Sequence, residues 1–348
     1  MLILLISCIS VAICSPQRVT TVEELLAQPI PAEDNRLTGE ALVKYVNERQ
    51  PFFEAKYSPE AEQRLNHLMD TEFVRNVRKL HKIPRAEKAI SNEDIPESFD
   101  SREVWKNCSS ITYIRDQSNC GSCWAVSAAE TMSDRICVQS KGRVQKMISD
   151  VDILACCGRE CGRGCNGGMD HKAWEYVKEF GVVTGGRYQE KGVCKPYPLH
   201  PCGNHGGKFW SCPRDHSFRT PACKKYCQYG YGKRYEKDKS YVKSVYILDE
   251  DEKAIQREMM KNGPVQAAFI TYEDFSFYRR GIYVHSYGRQ RGAHAVKVVG
   301  WGVENGTKYW NVANSWSTDW GEDGYFRILR GVNHCEFESY VVSGEFRL

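Results

Sequence analysis

An excess of either charge is missing from this sequence: its 48 Lys and Arg nearly balance 44 Asp and Glu, for a formal net charge of +4. So slight a balance leaves no electrostatic footprint for a nucleic-acid partner. Long hydrophobic runs are scarce as well. Leu2 to Cys14 is apolar and ends before Ser15 and Pro16, and no later stretch is apolar enough to span a bilayer. That run is long enough for a signal-peptide core and too short for a membrane span, although the usual positive residues ahead of it are absent. The expectation is a secretory-pathway protein whose signal peptide is 1–15. Cysteine is absent from Pro16 to Asp94, whereas fourteen of the sixteen cysteines lie between Cys108 and Cys335, a density suited to an oxidising compartment. This break separates a cysteine-free leader, 16–94, from a cysteine-rich body, 95–348.

In the leader, Leu42, Tyr45 and Val46 repeat with helical spacing after Thr38, a candidate N-cap. Ser58 and Pro59 read as N-cap and first residue of a second helix carrying Leu65, Leu68 and Met69. The leader is too short to bury a core alone and is expected to fold against the body. Ile83 to Asp94 is polar and charged, an exposed linker open to cleavage.

In the body, Ala125, Ala128, Ala129, Met132 and Ile136 form the stripe of one amphipathic helix beginning near Cys123. Ser149 and Asp152 cap a short helix, Met169 to Phe180 traces another ending at Gly181, and Glu252 to Lys261 a last one before Gly263. Tyr188 to Tyr241 has no clear period. Ala295 to Trp301 and Tyr309 to Ala313 read as strands joined at Asn305-Gly306. Pairing centred on that turn sets Asn314 opposite Lys297, near His294. Tyr325 to Arg330 alternates as another strand. A helical front half and a sheet-rich back half give an α+β body with a cleft between them.

A cysteine at a helix N-terminus has the macrodipole and free N–H groups to favour its thiolate, the nucleophilic form. Cys120 and Cys123 also form a C-x-x-C, a spacing shared by zinc sites and redox pairs. What shifts the weight is Trp124 directly after Cys123, with His294 and Asn314 far downstream. Cys120-Gly121-Ser122-Cys123-Trp124 is the local signature of papain-like cysteine proteases, and the sequence resembles that family. The resemblance implies a papain-like two-domain body: a helical left domain, a β-barrel-like right domain, an active-site cleft between, and a short helical inhibitory prosegment. Carried over, Cys123 is the nucleophile and His294 the proton carrier. Asn314 orients the ring, and Gln117 with the Cys123 N–H serves the oxyanion. A thiolate–imidazolium pair is the implied resting form.

His294 lies 171 residues after Cys123, more than the usual offset of about 130–150. The excess falls in Tyr188 to Tyr241, where Cys202 to Cys212 resembles the occluding loop of cathepsin B. That match implies the pairs Cys108–Cys137, Cys120–Cys165, Cys156–Cys223, Cys157–Cys161, Cys194–Cys227 and Cys202–Cys212, with Cys123 and Cys335 free. Of cathepsin B's two loop histidines only His205 is kept, beside Asn204. The partners of Asp116 and Asp319 correspond to Asn204 and Phe209, so a loosely held loop with reduced dipeptidyl-carboxypeptidase activity is expected. Gly167, Gly168 and Trp316 are implied substrate-binding residues, and the pocket for the residue preceding the scissile one is implied at Met169, Asp170, Ala295 and Tyr340. Tyr340 stands where the family has an arginine-accepting glutamate, which favours Phe, Leu or Val unless Asp170 supplies the charge. Trp316 is expected to shield the Asn314–His294 bond.

Asn305-Gly306-Thr307 is a glycosylation sequon on a turn. The run Tyr309 to Glu322 resembles a pattern of haemoglobin-digesting cathepsin B-like enzymes in the gut of blood-feeding helminths. The expected activity is therefore a secreted or lysosomal endopeptidase made as a proenzyme, acting on protein substrates. Its implied partners are its own prosegment and cystatin-type inhibitors, with no metal or organic cofactor. A catalytically weak, cysteine-rich binding protein of the same fold is the alternative.

Overall fold

The computed structural model describes residues 19–29, 37–75, 83–86, 94–205, 208–213 and 218–348. The signal peptide and most of the linker expected at 83–94 lie outside these residues. The leader supplies α1 (Val22–Ala27), α2 (Gly39–Arg49), β1 (Phe53–Ala55) and α3 (Pro59–Arg64). The body contributes β2 (Phe99–Asp100), α4 (Cys123–Gln139), α5 (Asp150–Cys156), α6 (Asp170–Phe180), β3 (Gly203–His205), β4 (Lys208–Trp210), β5 (Val242–Ile247), α7 (Glu252–Asn262) and β6 (Val265–Tyr272). After these come β7 (Tyr278–Tyr283), β8 (Gln290–Glu304), β9 (Thr307–Ala313), β10 (Tyr325–Leu329) and β11 (Val341–Phe346).

The main sheet runs β1-β7-β10-β9-β8-β6-β11-β5, with β2 added to β8. Its two ends do not meet among the described residues, so no closed barrel forms, which fits the two-domain α+β body expected. The hairpin at Asn305-Gly306 is there, but its register differs from a symmetric count. Glu304 faces Thr307 and Gly300 faces Asn311, whereas Lys297 faces Ala313, because an extra residue bulges between Val298 and Gly300. At the bulge, β2 approaches so closely that a Cβ on Gly300 would sit 2.2 Å from the Phe99 carbonyl oxygen. The extra residue thus shifts Asn314 one place along β8 from the position the turn alone implies.

Helix α4 is buried on every side through Val138 rather than half exposed, because it lies between the sheet and helices α5 and α6. Several of its polar residues meet partners on other elements. Asp134 meets Lys297 of β8 at 2.9 Å, with both side chains fully buried. The Glu130 carboxylate accepts the Arg115 N–H at 3.2 Å, and burial pushes its pKa up to about 7. The Arg135 guanidinium donates to the Gly344 and Pro264 carbonyls. The Asp134–Lys297 contact joins the helix that starts at Cys123 to the strand that carries His294.

The leader does fold against the body. β1 pairs with β7, and Leu42, Val46, Phe53, Ala55 and Ala61 share one apolar cluster with Phe275, Tyr278 and Tyr283. Helix α3 stops at Arg64 and passes through a tight turn at Leu65–His67, so Leu68 and Met69 are extended rather than helical. There Met69 and Ala293 exchange backbone hydrogen bonds of 3.0 and 2.8 Å, an offer from β8 that no local signal in the leader reveals. Helix α1 escaped the sequence reading although Thr21-x-x-Glu24 is a readable capping box. Its Leu25 packs with Ile282, Val284 and Leu329.

Candidate active site

Cys123 is the first residue of α4 and is fully buried. The preceding turn is held by the Cys120–Cys165 disulfide and by the Gly121 N–H donating to the Cys165 carbonyl at 2.7 Å. The other five disulfides join the same cysteines that the resemblance pairs, leaving Cys123 and Cys335 free. Cys120 is therefore bonded to Cys165 and not to Cys123, which removes the C-x-x-C redox arrangement. Among the described residues no group of three or more His, Cys, Asp or Glu side chains is placed to hold a metal ion.

His294 reaches the site from β8. Its Nε2 lies 2.7 Å from Asn314 Oδ1, which also accepts the Ser315 N–H at 2.7 Å. An oxygen acceptor there requires Nε2 to carry the hydrogen, so Nδ1 is the nitrogen left with a free lone pair, and Nδ1 has no other partner. Trp316 stacks on the imidazole with centroids 4.7 Å apart, and Phe269 meets it edge-on at 6.1 Å. The bond to Asn314 is thereby kept from water on the tryptophan side.

Gln117 is fully buried and its amide orientation is fixed from both ends. Oε1 accepts the Ser315 hydroxyl at 2.6 Å, while Nε2 donates to the Cys120 carbonyl at 2.9 Å and to the leader's His67 carbonyl at 3.1 Å. Ser315 and His67 were absent from the sequence reading. Ser315 sits inside a motif already quoted, whereas His67 has no signal because only its backbone acts.

The leader closes this site. Burial pushes the Cys123 thiol up to about 12 and the His294 imidazole down to about 4. Both shifts favour the neutral thiol and the neutral imidazole in the closed form, whereas the ion pair is implied for the resting enzyme. The physical reason is lost water, which both charges need.

Beside the thiol, Met69 of the leader shares one buried cluster with Cys123, Trp124, Ala295 and Tyr340, and Met169 packs at its edge. A Cβ on Gly167, whose φ is +109°, would come within 2.8 Å of Met69 Cβ, so only glycine lets the leader lie this close. Gly168 packs equally tightly on the Trp124 ring. The Tyr340 hydroxyl accepts the His171 backbone N–H at 3.0 Å and is hydrogen-bonded to His171 Nδ1 at 2.8 Å. Asp170 is the first residue of α6, fully buried, and neither carboxyl oxygen has a hydrogen-bond partner among the described residues.

His205 lies apart from these groups, on the β3–β4 hairpin closed by Cys202–Cys212. Its Nε2 meets the Cys202 carbonyl at 2.6 Å and Asp116 at 3.7 Å. Nδ1 meets the Ser317 hydroxyl and an Asp319 oxygen, both at 3.0 Å. The loosely held loop expected from the sequence is corrected: one histidine engages both aspartates. Leader Arg64 is also near Asp116 and Asp319, whose charges act on it. Asn305 stands exposed at the far hairpin turn with φ 50°, remote in the fold from the cleft strands' other end.

The sequence profile of the papain family cysteine proteases matches residues 95–345. A cathepsin B-like cysteine proteinase 1 from Haemonchus contortus is 49% identical over 327 residues, covering 93% of this chain and 94% of that protein. A gut-specific cysteine proteinase of Caenorhabditis elegans is 44% identical over 90% of this chain and 92% of its own. Among solved structures, a procathepsin B from Trypanosoma congolense superposes with a TM-score of 0.76 at 35% identity, covering 90% of this chain and 99% of that one.

Proposed function

The chain belongs to the papain family of cysteine proteases and is a cathepsin B-like peptidase in precursor form; from that premise we propose that Cys123, His294, Asn314 and Gln117 carry its chemistry. The observation that supports these roles best is the His294–Asn314 bond of 2.7 Å, which leaves Nδ1 as the ring's free base. Once the leader departs, water returns, Cys123 passes its proton to His294 Nδ1, and the thiolate attacks the substrate carbonyl. The Gln117 Nε2–H released by the His67 carbonyl then joins the Cys123 N–H in holding the oxyanion. His294 returns the proton to the leaving amine, and water completes hydrolysis of the thioester.

The leader, 16–94, acts in this reading as an inhibitory prosegment removed near Asp94, after removal of a signal peptide at 1–15. The mature protein works in the secretory pathway, in a gut lumen or a lysosome, and carries an N-linked glycan at Asn305. Cystatin-type inhibitors compete for the same cleft. Haemoglobin is the protein substrate suggested by Tyr309 to Glu322. Trp310, Trp316 and Trp320 of that run are buried packing residues, so the support for haemoglobin is the resemblance alone.

Endopeptidase activity dominates, because both ring nitrogens of His205 are engaged and Asn204 has no charge to offer a terminal carboxylate. The processed protein is expected to cleave an internal bond of an amidated peptide at least about tenfold faster than it releases a dipeptide from the free acid, the worth of one charge-assisted hydrogen bond. Chromatography of the products decides the matter. Strong dipeptide release, unchanged in His205→Ala, contradicts it.

A further inference from the structure

Asp170 is a buried carboxyl that the proposed chemistry does not use. It is the first residue of α6, directly after Met169 and close behind Gly167 and Gly168, on which Met69 and the Trp124 ring pack, and its charge acts on the Cys123 thiol. Among the described residues no group hydrogen-bonds either oxygen. Buried polar groups without partners are rare and costly, and a structural acid would be paired, as Asp150 and Asp152 are with Arg115 and Lys195. A carboxyl kept unpaired beside a plugged cleft is suited to a partner that arrives with the substrate.

We propose that Asp170 makes substrate choice proton-linked: the neutral acid accepts an apolar side chain beside the thiol, and the carboxylate accepts a guanidinium or ammonium side chain. This rests on the peptidase reading above and names the substrate class of the same cleft. The titratable groups facing Asp170 are the Cys123 thiol from α4 and the Tyr340 phenol ahead of β11, each pushed up by burial first and then by the Asp170 charge. His171 of the same helix is committed to Tyr340. None of these supplies a cation, and burial alone pushes Asp170 well above the usual carboxylate range. A substrate cation brought within hydrogen-bond distance favours ionisation, and the proton leaves to solvent.

The direction with pH follows. At low pH the acid is neutral, an apolar side chain is accommodated and a cation must first displace a proton. As pH rises through the empty pocket's titration the cationic substrate gains, whereas an unpaired carboxylate beside an apolar side chain penalises the other and raises the thiol.

The test is kcat/KM of the processed protein for Phe-Arg and Arg-Arg fluorogenic peptides between about pH 4.5 and 7.5, with Asp170→Asn and Asp170→Glu beside it. The Arg-Arg to Phe-Arg ratio is expected to rise about tenfold or more across that range in the unaltered protein, equivalent to one proton's linkage. It should stay low and flat in Asp170→Asn and rise again in Asp170→Glu. A flat ratio in the unaltered protein overturns the proposal whether or not the variants fold, and so does an undiminished rise in Asp170→Asn. Phe-Arg cleavage that vanishes in Cys123→Ala leaves the peptidase reading standing in either case. Failure to cleave either peptide removes both.

Discussion

In the processed protein, Cys123→Ala is expected to lower kcat for peptide hydrolysis by about 10⁵-fold or more, with His294→Ala losing the same order. The two losses should not add. Without the thiol, His294 has no proton to take. Without the imidazole, a thiol at the start of α4 has lost the base that makes it a thiolate at acidic pH. A double variant is thus expected to be little worse than either single one, which steady-state kinetics on Phe-Arg peptide measures directly. Asn314→Ala should cost less, because it frees the ring without removing it. A residual activity in Cys123→Ala within tenfold of the starting protein would place the nucleophile elsewhere.

The largest expected effect on stability belongs to Lys297→Ala. Lys297 is fully buried on β8, 2.9 Å from Asp134 of α4, and donates to the Ile111 carbonyl at 3.2 Å. Removing it strands the Asp134 charge and leaves the nearby Glu130 acid without the cation that lowers its pKa. Breaking one partner of a buried pair costs about 3–5 kcal/mol, whereas replacing both by apolar groups of matching volume is often neutral. Urea unfolding with the disulfides intact should therefore show a large drop for Lys297→Ala and a much smaller one for Lys297→Met combined with Asp134→Leu. A loss under about 1 kcal/mol for the single variant would mean that the pair is dispensable. The pair also has a bearing on catalysis, since it ties the Cys123 helix to the His294 strand.

The parts of this arrangement legible in sequence are those fixed by local chemistry. The start of α4 at Cys123, the end of α6 at Gly181 with φ 71°, the Ser149 cap on α5 and the Asn305-Gly306 turn each follow from a few adjacent residues. What was misread depends on partners distant in the chain. The bulge at Val299 answers the approach of Phe99, and the extended Met69 answers Ala293. His205 inherits both aspartates because the hairpin folds back on Ser317 and Asp319, a contact across more than a hundred residues. The shifts of Cys123 and His294 toward their neutral forms were equally out of reach, because burial in the folded chain sets them.

One measurement bears on the central claim, that a cysteine–histidine site is built in the body and closed by the leader. It is the rate of alkylation of each free thiol by iodoacetamide at about pH 5–6, read by peptide mass spectrometry, in the precursor and after leader removal. Cys123 should be unreactive in the precursor and become the fast thiol on processing, with the reaction suppressed in His294→Ala and Cys335 slow throughout. Equal reactivity of Cys123 in both forms, or a processed protein whose Cys123 reacts no faster than Cys335, would contradict the account.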